Sequence, residues 1–208
     1  FLKFVWNDAS ASMVKGTWES DGTGWTELSG SEDRVAILWE LDRIDNFATK
    51  GCAVACHSDG EEGDWYFAAD SGKGDMWHWK SYRTDPLNFA DDGYLTAGTD
   101  EKASGRHKDE GGGGDTRNRN EAKDGPSHMP NPDVPQTLPG FLLTAEAMEI
   151  DLALAWPAGT QIPQRMLSAP SGDRGHITAD ATYANGQWTV ILSRNLSTGS
   201  ANDLQLQS

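Results

Sequence analysis

Long apolar runs, cysteines and positive charge are all scarce in this chain. No stretch of eighteen apolar residues occurs in the 208, so the sequence offers no membrane-spanning helix. Lys and Arg together number 17 against 32 Asp and Glu, a formal net charge of −15. A chain so poor in cations has no basic stripe to neutralise phosphates, which argues against nucleic acid and against anionic membrane surfaces. A basic redox partner or a salty habitat suits that charge, and so does plain solubility. There are only two cysteines, Cys52 and Cys56. A bridge between neighbours so close would close a tiny loop and staple almost nothing, so the pair points to local chemistry and not to a disulfide framework. No export leader is visible: the chain opens at Phe1 on Phe-Leu-Lys-Phe-Val-Trp, as a trimmed product would.

What is present is aromatic and β-forming. Nine Trp need a core to hide in, which marks a folded protein despite 23 glycines. Arg34 to Leu41 places Val35, Ile37, Trp39 and Leu41 on one face at period two. Met148 to Trp156 alternates in the same way and predicts another strand. Ile177 to Tyr183 and Trp188 to Arg194 alternate around Asn185-Gly186, a strong tight-turn signal for a hairpin. Between these β-rich ends, 97–139 is full of Gly, Asp, Asn and Pro and predicts a long irregular loop segment, functional or mobile. The expected architecture is mainly β: a single domain over 1–208, an antiparallel β-sandwich with long, loop-rich insertions.

The motif with chemistry is Gly51-Cys52-Ala53-Val54-Ala55-Cys56-His57. Two thiols in this arrangement can reach the two vinyl groups on one porphyrin edge, and the next His can swing its imidazole under the iron. The usual spacing has two residues between the cysteines; here there are three. The motif therefore predicts one covalent haem c, attached at Cys52 and Cys56, with His57 as proximal iron ligand. Three alternatives stay open: a local disulfide, a zinc site and a Cys-His nucleophile. Zinc wants four ligands, and no second Cys/His pair stands at finger spacing. Adjacent residues on an extended chain point to opposite sides, which weakens the nucleophile.

A sixth iron ligand has candidates in His78, His107, His128, His176, Met76, Met129 and the lysines. In Met76-Trp77-His78-Trp79-Lys80, a strand would put Trp77 and Trp79 on one face and Met76, His78 and Lys80 on the other. That second face could meet the haem, with His78 as distal ligand; a hydrogen-bonded core histidine is the competing reading. His/His ligation would give a lower potential than His/Met. Arg83 and Arg106, with His107 and Lys108, are candidate partners for haem propionates. Asp59, Glu61, Glu62 and Asp64, and separately Asp91 and Asp92, could supply oxygens to Ca²⁺, although their spacing is not an EF-hand loop. Gly111 to Gly114 lacks the Gly-Lys-Ser/Thr ending of a phosphate loop and is assigned no nucleotide.

At these residues the chain resembles the haem-binding domain shared by ethylbenzene-dehydrogenase-type γ subunits and a group of periplasmic cytochromes c. The resemblance is carried by Asp33 to Trp39, Gly51 to His57, Asp75 to Lys80 with Arg83-Thr84, Asp91 to Leu95, Gly186 to Val190, and Arg194 to Leu196. It implies a β-sandwich that relays electrons. In γ subunits of molybdenum dehydrogenases the haem is b-type, held by Met and Lys; the cysteine motif here looks like the c-type branch. Members of that branch continue past the point where Ser208 ends this chain, which implies a C-terminal truncation. The resulting expectation is an exported monohaem cytochrome, periplasmic or extracellular, that exchanges electrons with redox protein partners and is not itself an enzyme. The rivals are an enzyme with an open iron position, an accessory subunit of a molybdenum oxidoreductase, and a colourless, non-haem β-sandwich that binds carbohydrate or protein.

Overall fold

A computed structural model describes residues 1–52, 72–96 and 105–206. Strands account for 42% of it and helices for 8%, which makes the class mainly β. The first part holds β1 (Leu2–Asn7), β2 (Thr17–Ser20), β3 (Trp25–Leu28), β4 (Arg34–Asp42) and the single-turn α1 (Phe47–Lys50). The second holds β5 (Lys73–Lys80) and β6 (Asp91–Thr96). The third holds β7 (Arg106–Lys108), β8 (Gly114–Arg117), β9 (His128–Pro130), β10 (Leu142–Leu143), β11 (Ala147–Glu149), β12 (Gln161–Pro163), β13 (Arg165–Ser168), β14 (Thr178–Ala184) and β15 (Gln187–Ser193).

Two antiparallel sheets form the sandwich. One has the order β1-β15-β14, the other β4-β5-β6-β7. In the first, Leu2 faces Leu192, Phe4 faces Val190 and Trp6 faces Trp188 across the β1–β15 ladder. The period-two sets expected from the sequence point into the space between the sheets: Val35, Ile37 and Trp39 from β4, Trp77 and Trp79 from β5, Val190 and Leu192 from β15. Trp188 is the centre of this core. Its ring lies 5.1 Å from Trp79, 6.1 Å from Trp6 and 5.3 Å from Tyr183. Its indole N–H donates to Asp33 Oδ2 at 2.8 Å, so its one polar atom is satisfied. The hairpin joining β14 to β15 turns at Asn185 and Gly186, both at positive φ (52° and 73°), the backbone that a tight two-residue turn requires.

A second core, of Trp18, Leu142 and Ile162 with Trp25, Met129, Ile150 and Met166 against it, lies under the small sheets β12-β2-β3 and β10-β13-β8. Asn118 ties this part together. Its buried amide donates to the carbonyls of His128 and Pro163 and accepts from the amides of Ser127 and His128.

The strand expected over Met148 to Trp156 is a correction. Pairing with β9 ends at Glu149, and the chain turns at 152–154. Met148 and Leu154 are exposed, while Ile150 packs against the second core. Alternation there is real in the letters, but among the described residues no neighbouring strand extends the ladder. Three short strands, β7, β8 and β9, run through the segment expected to be irregular. The glycine run at Gly111 to Gly114 has a packing role. A Cβ on Gly111 would lie 1.9 Å from the Ser171 carbonyl oxygen, and one on Gly113 would lie 2.0 Å from that of Ala169.

Candidate functional site

The outer face of the β4-β5-β6-β7 sheet carries a cleft. Alternation along β5 buries Trp77 and Trp79 on the core side and leaves Met76, His78 and Lys80 on the other. The cleft, about 290 Å³, is lined by Met76 and His78 in the middle, Arg34, Lys80 and Arg83 at one side, and Arg106, His107 and Lys108 from β7. A neighbouring pocket of about 130 Å³ shares Met76, His78 and Arg106 and is bounded by Ala36, Leu38 and Cys52. The first cysteine of the motif lines the smaller pocket, and the two central β5 side chains lie between it and the cleft.

The electrostatics of the cleft are set by burial. Loss of solvent, and then the nearby Lys80 charge, push His78 down from 6.5 to about 3. Its imidazole is neutral at physiological pH, which leaves a ring nitrogen lone pair for a metal. Burial also lowers Lys80, and its ion pair with Asp91 partly offsets this. Burial pushes Asp91 up, but Lys80 outweighs it and holds the carboxyl below its usual range. Arg83 is committed: its Nε donates to Glu32 at 2.7 Å, and Asp115 stands 3.7 Å from its Nη1. Arg34, Arg106 and Lys108 make no ion pair among the described residues, so uncommitted positive charge rims the cleft of an acidic protein.

The sequence candidates separate in space. Cys52 lines the pocket and is disulfide-bonded, not a free thiol. Cys56 and His57 lie outside the described residues, as do Asp59, Glu61, Glu62 and Asp64. His78, Arg83 and Arg106 all line the cleft, as does His107, which stacks on Tyr94 and contacts Thr96 Oγ1 at 2.9 Å. His128 bonds Ser127 Oγ, and Met129 packs in the second core, away from the cleft. Asp91 and Asp92 do not act as a pair. Successive residues of β6 face opposite ways, so Asp91 meets Lys80 while Asp92 enters a different cluster.

That cluster is what sequence reasoning missed. Asp75, Asp92 and Asp203 surround Arg194, and Asp109 and His176 adjoin them. Six separate segments contribute, so no local spacing announces it. The Arg194 side chain is 2% exposed and donates to Asp75 Oδ2 at 2.7 Å. Burial, and then the Asp203 charge, push Asp92 up to about 9 and contribute to raising Asp109 to about 7. The unfolded chain releases these protons near the usual 3.8; the folded chain holds them longer. Between these values the native state therefore binds more protons, and its stability falls as pH rises. In chelator-treated protein, the stability of the wild type relative to Asp92→Asn is expected to fall from about pH 5 to about pH 9. Urea unfolding of both chains across that range checks it, and a rising difference would refute it.

Comparison with curated proteins and with solved structures returns no match. No helix among the described residues is long and apolar enough to cross a membrane. The family model described as ethylbenzene dehydrogenase matches residues 1–208, the whole chain. This β-sandwich, with its cation-rimmed cleft over Met76 and His78, belongs to the ethylbenzene dehydrogenase family.

Proposed function

We propose that this chain is a non-catalytic, haem-binding electron-relay domain that serves an oxidoreductase of the ethylbenzene dehydrogenase type. One observation carries the reading: Met76 and His78 lie between a pocket that Cys52 lines and an adjoining cleft whose cations Arg34, Arg106 and Lys108 make no ion pair among the described residues. Such a donor set fits a porphyrin. A neutral imidazole and a thioether offer ligands to iron, and free guanidinium and ammonium groups suit propionates. When bound, haem supplies a one-electron couple. The chain's own residues do the rest. His78 presents a ring nitrogen, Arg106 is free to pair with carboxylates, and the indoles beneath β5 hold that strand rigid. Lys80 pairs with Asp91, and positive charge there would favour the reduced form of a neighbouring redox group.

Covalent attachment through Cys52 and Cys56, with His57 proximal and His78 distal, gives the c-type version, placed outside the cytoplasmic membrane. A second version keeps the sulfur of Cys52 in its disulfide. A sulfur in a disulfide cannot also form a thioether, and haem would then be held by side chains of the cleft alone. That is the arrangement expected of an accessory subunit of a molybdenum oxidoreductase. A pyridine haemochrome spectrum with intact mass separates the versions. Haem retained in the denatured chain supports the first, and haem lost to acid–acetone supports the second. Native protein without haem, at the mass of the oxidised chain, overturns both and leaves a non-haem binding sandwich.

The axial ligand has its own test. Ferric protein with His78→Ala is expected to change from a low-spin to a high-spin spectrum, while His107→Ala leaves it low-spin. An unchanged spectrum in His78→Ala removes His78 as ligand.

A further inference from the structure

The buried acidic cluster on the other side of β6 has no part in the electron-relay reading. Its composition is unbalanced. Asp75, Asp92, Asp109 and Asp203 are each at most 3% exposed, and Arg194 is the guanidinium among them. Arg194 spends its Nη2 on Asp75 and on the Leu204 carbonyl. Its Nη1 stands 3.5 Å from both Asp92 Oδ1 and Asp203 Oδ1 without a hydrogen bond to either. Lys73, the other nearby cation, is occupied by the Ala201 carbonyl and the Asn202 side chain. Asp92 Oδ2 and both carboxylate oxygens of Asp109 have no hydrogen-bond partner. Buried carboxylates left in this state are costly unless something positive joins them.

Geometry says where that charge would sit. Ligand atoms of Asp92, His176 and Asp203 all lie within 4.8 Å of one another. His176 Nδ1 and Asp203 Oδ2 are 3.3 Å apart. Two ligands on adjacent corners of a tetrahedron around a zinc-sized ion, with bonds of about 2.0–2.1 Å, stand about 3.3–3.4 Å apart. The far nitrogen of the same ring, Nε2, lies 3.6 Å from Asp173 Oδ1, an ion-pair distance longer than a hydrogen bond. A carboxylate behind a ligating histidine is the usual way its ring is oriented and made more basic.

We propose that Asp92, His176 and Asp203 bind one divalent transition cation of the zinc or manganese class, with Asp109 beside it as a further oxygen donor and Asp173 as the residue positioning His176. The imidazole decides the class. Calcium and magnesium prefer all-oxygen shells, whereas a mixed carboxylate–imidazole set suits first-row transition ions. The ion would be structural: it would fasten the C-terminal segment carrying Asp203 to β6 and to the turn before β14.

The test uses the full chain, stripped with chelator and dialysed, then titrated with Zn²⁺, Mn²⁺ or Ca²⁺ while thermal unfolding and bound metal are measured. One equivalent of Zn²⁺ or Mn²⁺ is expected, with a raised Tm. Because His176 is partly exposed, His176→Ala should fold, and it is expected to bind at least about tenfold more weakly. Asp173→Asn is expected to weaken binding, and by less than His176→Ala does. No cation raising the Tm overturns the proposal, as does equal affinity in His176→Ala. Calcium bound equally well by wild type and His176→Ala also overturns it.

Discussion

Arg194→Met is expected to destabilise the folded chain by about 3–5 kcal/mol, the loss found when one partner of a buried ion pair, here the 2.7 Å pair with Asp75, is removed. Its guanidinium touches three carboxylates and lies 4.5 Å above the Trp77 ring, so it links the cluster to the tryptophan core. Without it, Asp75 keeps the Leu204 amide as its remaining donor. Arg194→Lys is expected to rescue little. A single ammonium cannot donate to Asp75 and still approach Asp92 and Asp203, which the planar fork does at once. Urea unfolding at neutral pH measures both variants, and a loss below about 1 kcal/mol in Arg194→Met would refute a buried ion pair between Arg194 and Asp75.

Trp188→Ala is the second large effect, again about 3–5 kcal/mol. The indole is 2% exposed and sits among Trp6, Trp79 and Tyr183, so its removal opens a cavity bounded by both sheets. Rigid neighbouring rings cannot collapse into that space, and the cost should lie toward the upper end of the range. Trp188→Phe separates packing from hydrogen bonding. Asp33 Oδ2 loses the indole donor but keeps the Ser12 amide, so the added penalty should be about 1 kcal/mol. Chemical denaturation of both variants, with near-ultraviolet circular dichroism for the aromatic core, checks the order. A smaller loss in Trp188→Ala than in Trp188→Phe would contradict it.

How far the letters predicted this depends on the range of the interaction. Val35, Ile37 and Trp39, the Trp77–Trp79 pair, and Val190 with Leu192 were legible because a strand's two-residue period is written locally. Asn185-Gly186 was legible because positive φ restricts residue choice. The shared face of Met76, His78 and Lys80 followed from the same period, and the cleft lies on that face. Met148 to Trp156 misled because alternation states what could pair, not whether a partner strand is there. Arg194 and its carboxylates were invisible because contributions come from β5, β6, the segment after β7, the turn before β14 and the C-terminal tail. Asp91 and Asp92 misled for the opposite reason: neighbours in sequence were read as neighbours in space, across a strand that sends them apart.

The indole layer under β5 has an optical consequence. Trp39 and Trp77, and beyond them Trp79 and Trp188, lie one sheet away from Met76 and His78. An absorbing group seated in the cleft would be on the order of 10 Å from these emitters, comparable to the spacing of two packed sheets. Energy transfer over such a span is efficient, so the native fluorescence of the core would dim as the cleft fills and brighten as it empties. The chain carries its own occupancy gauge in the residues that hold it together.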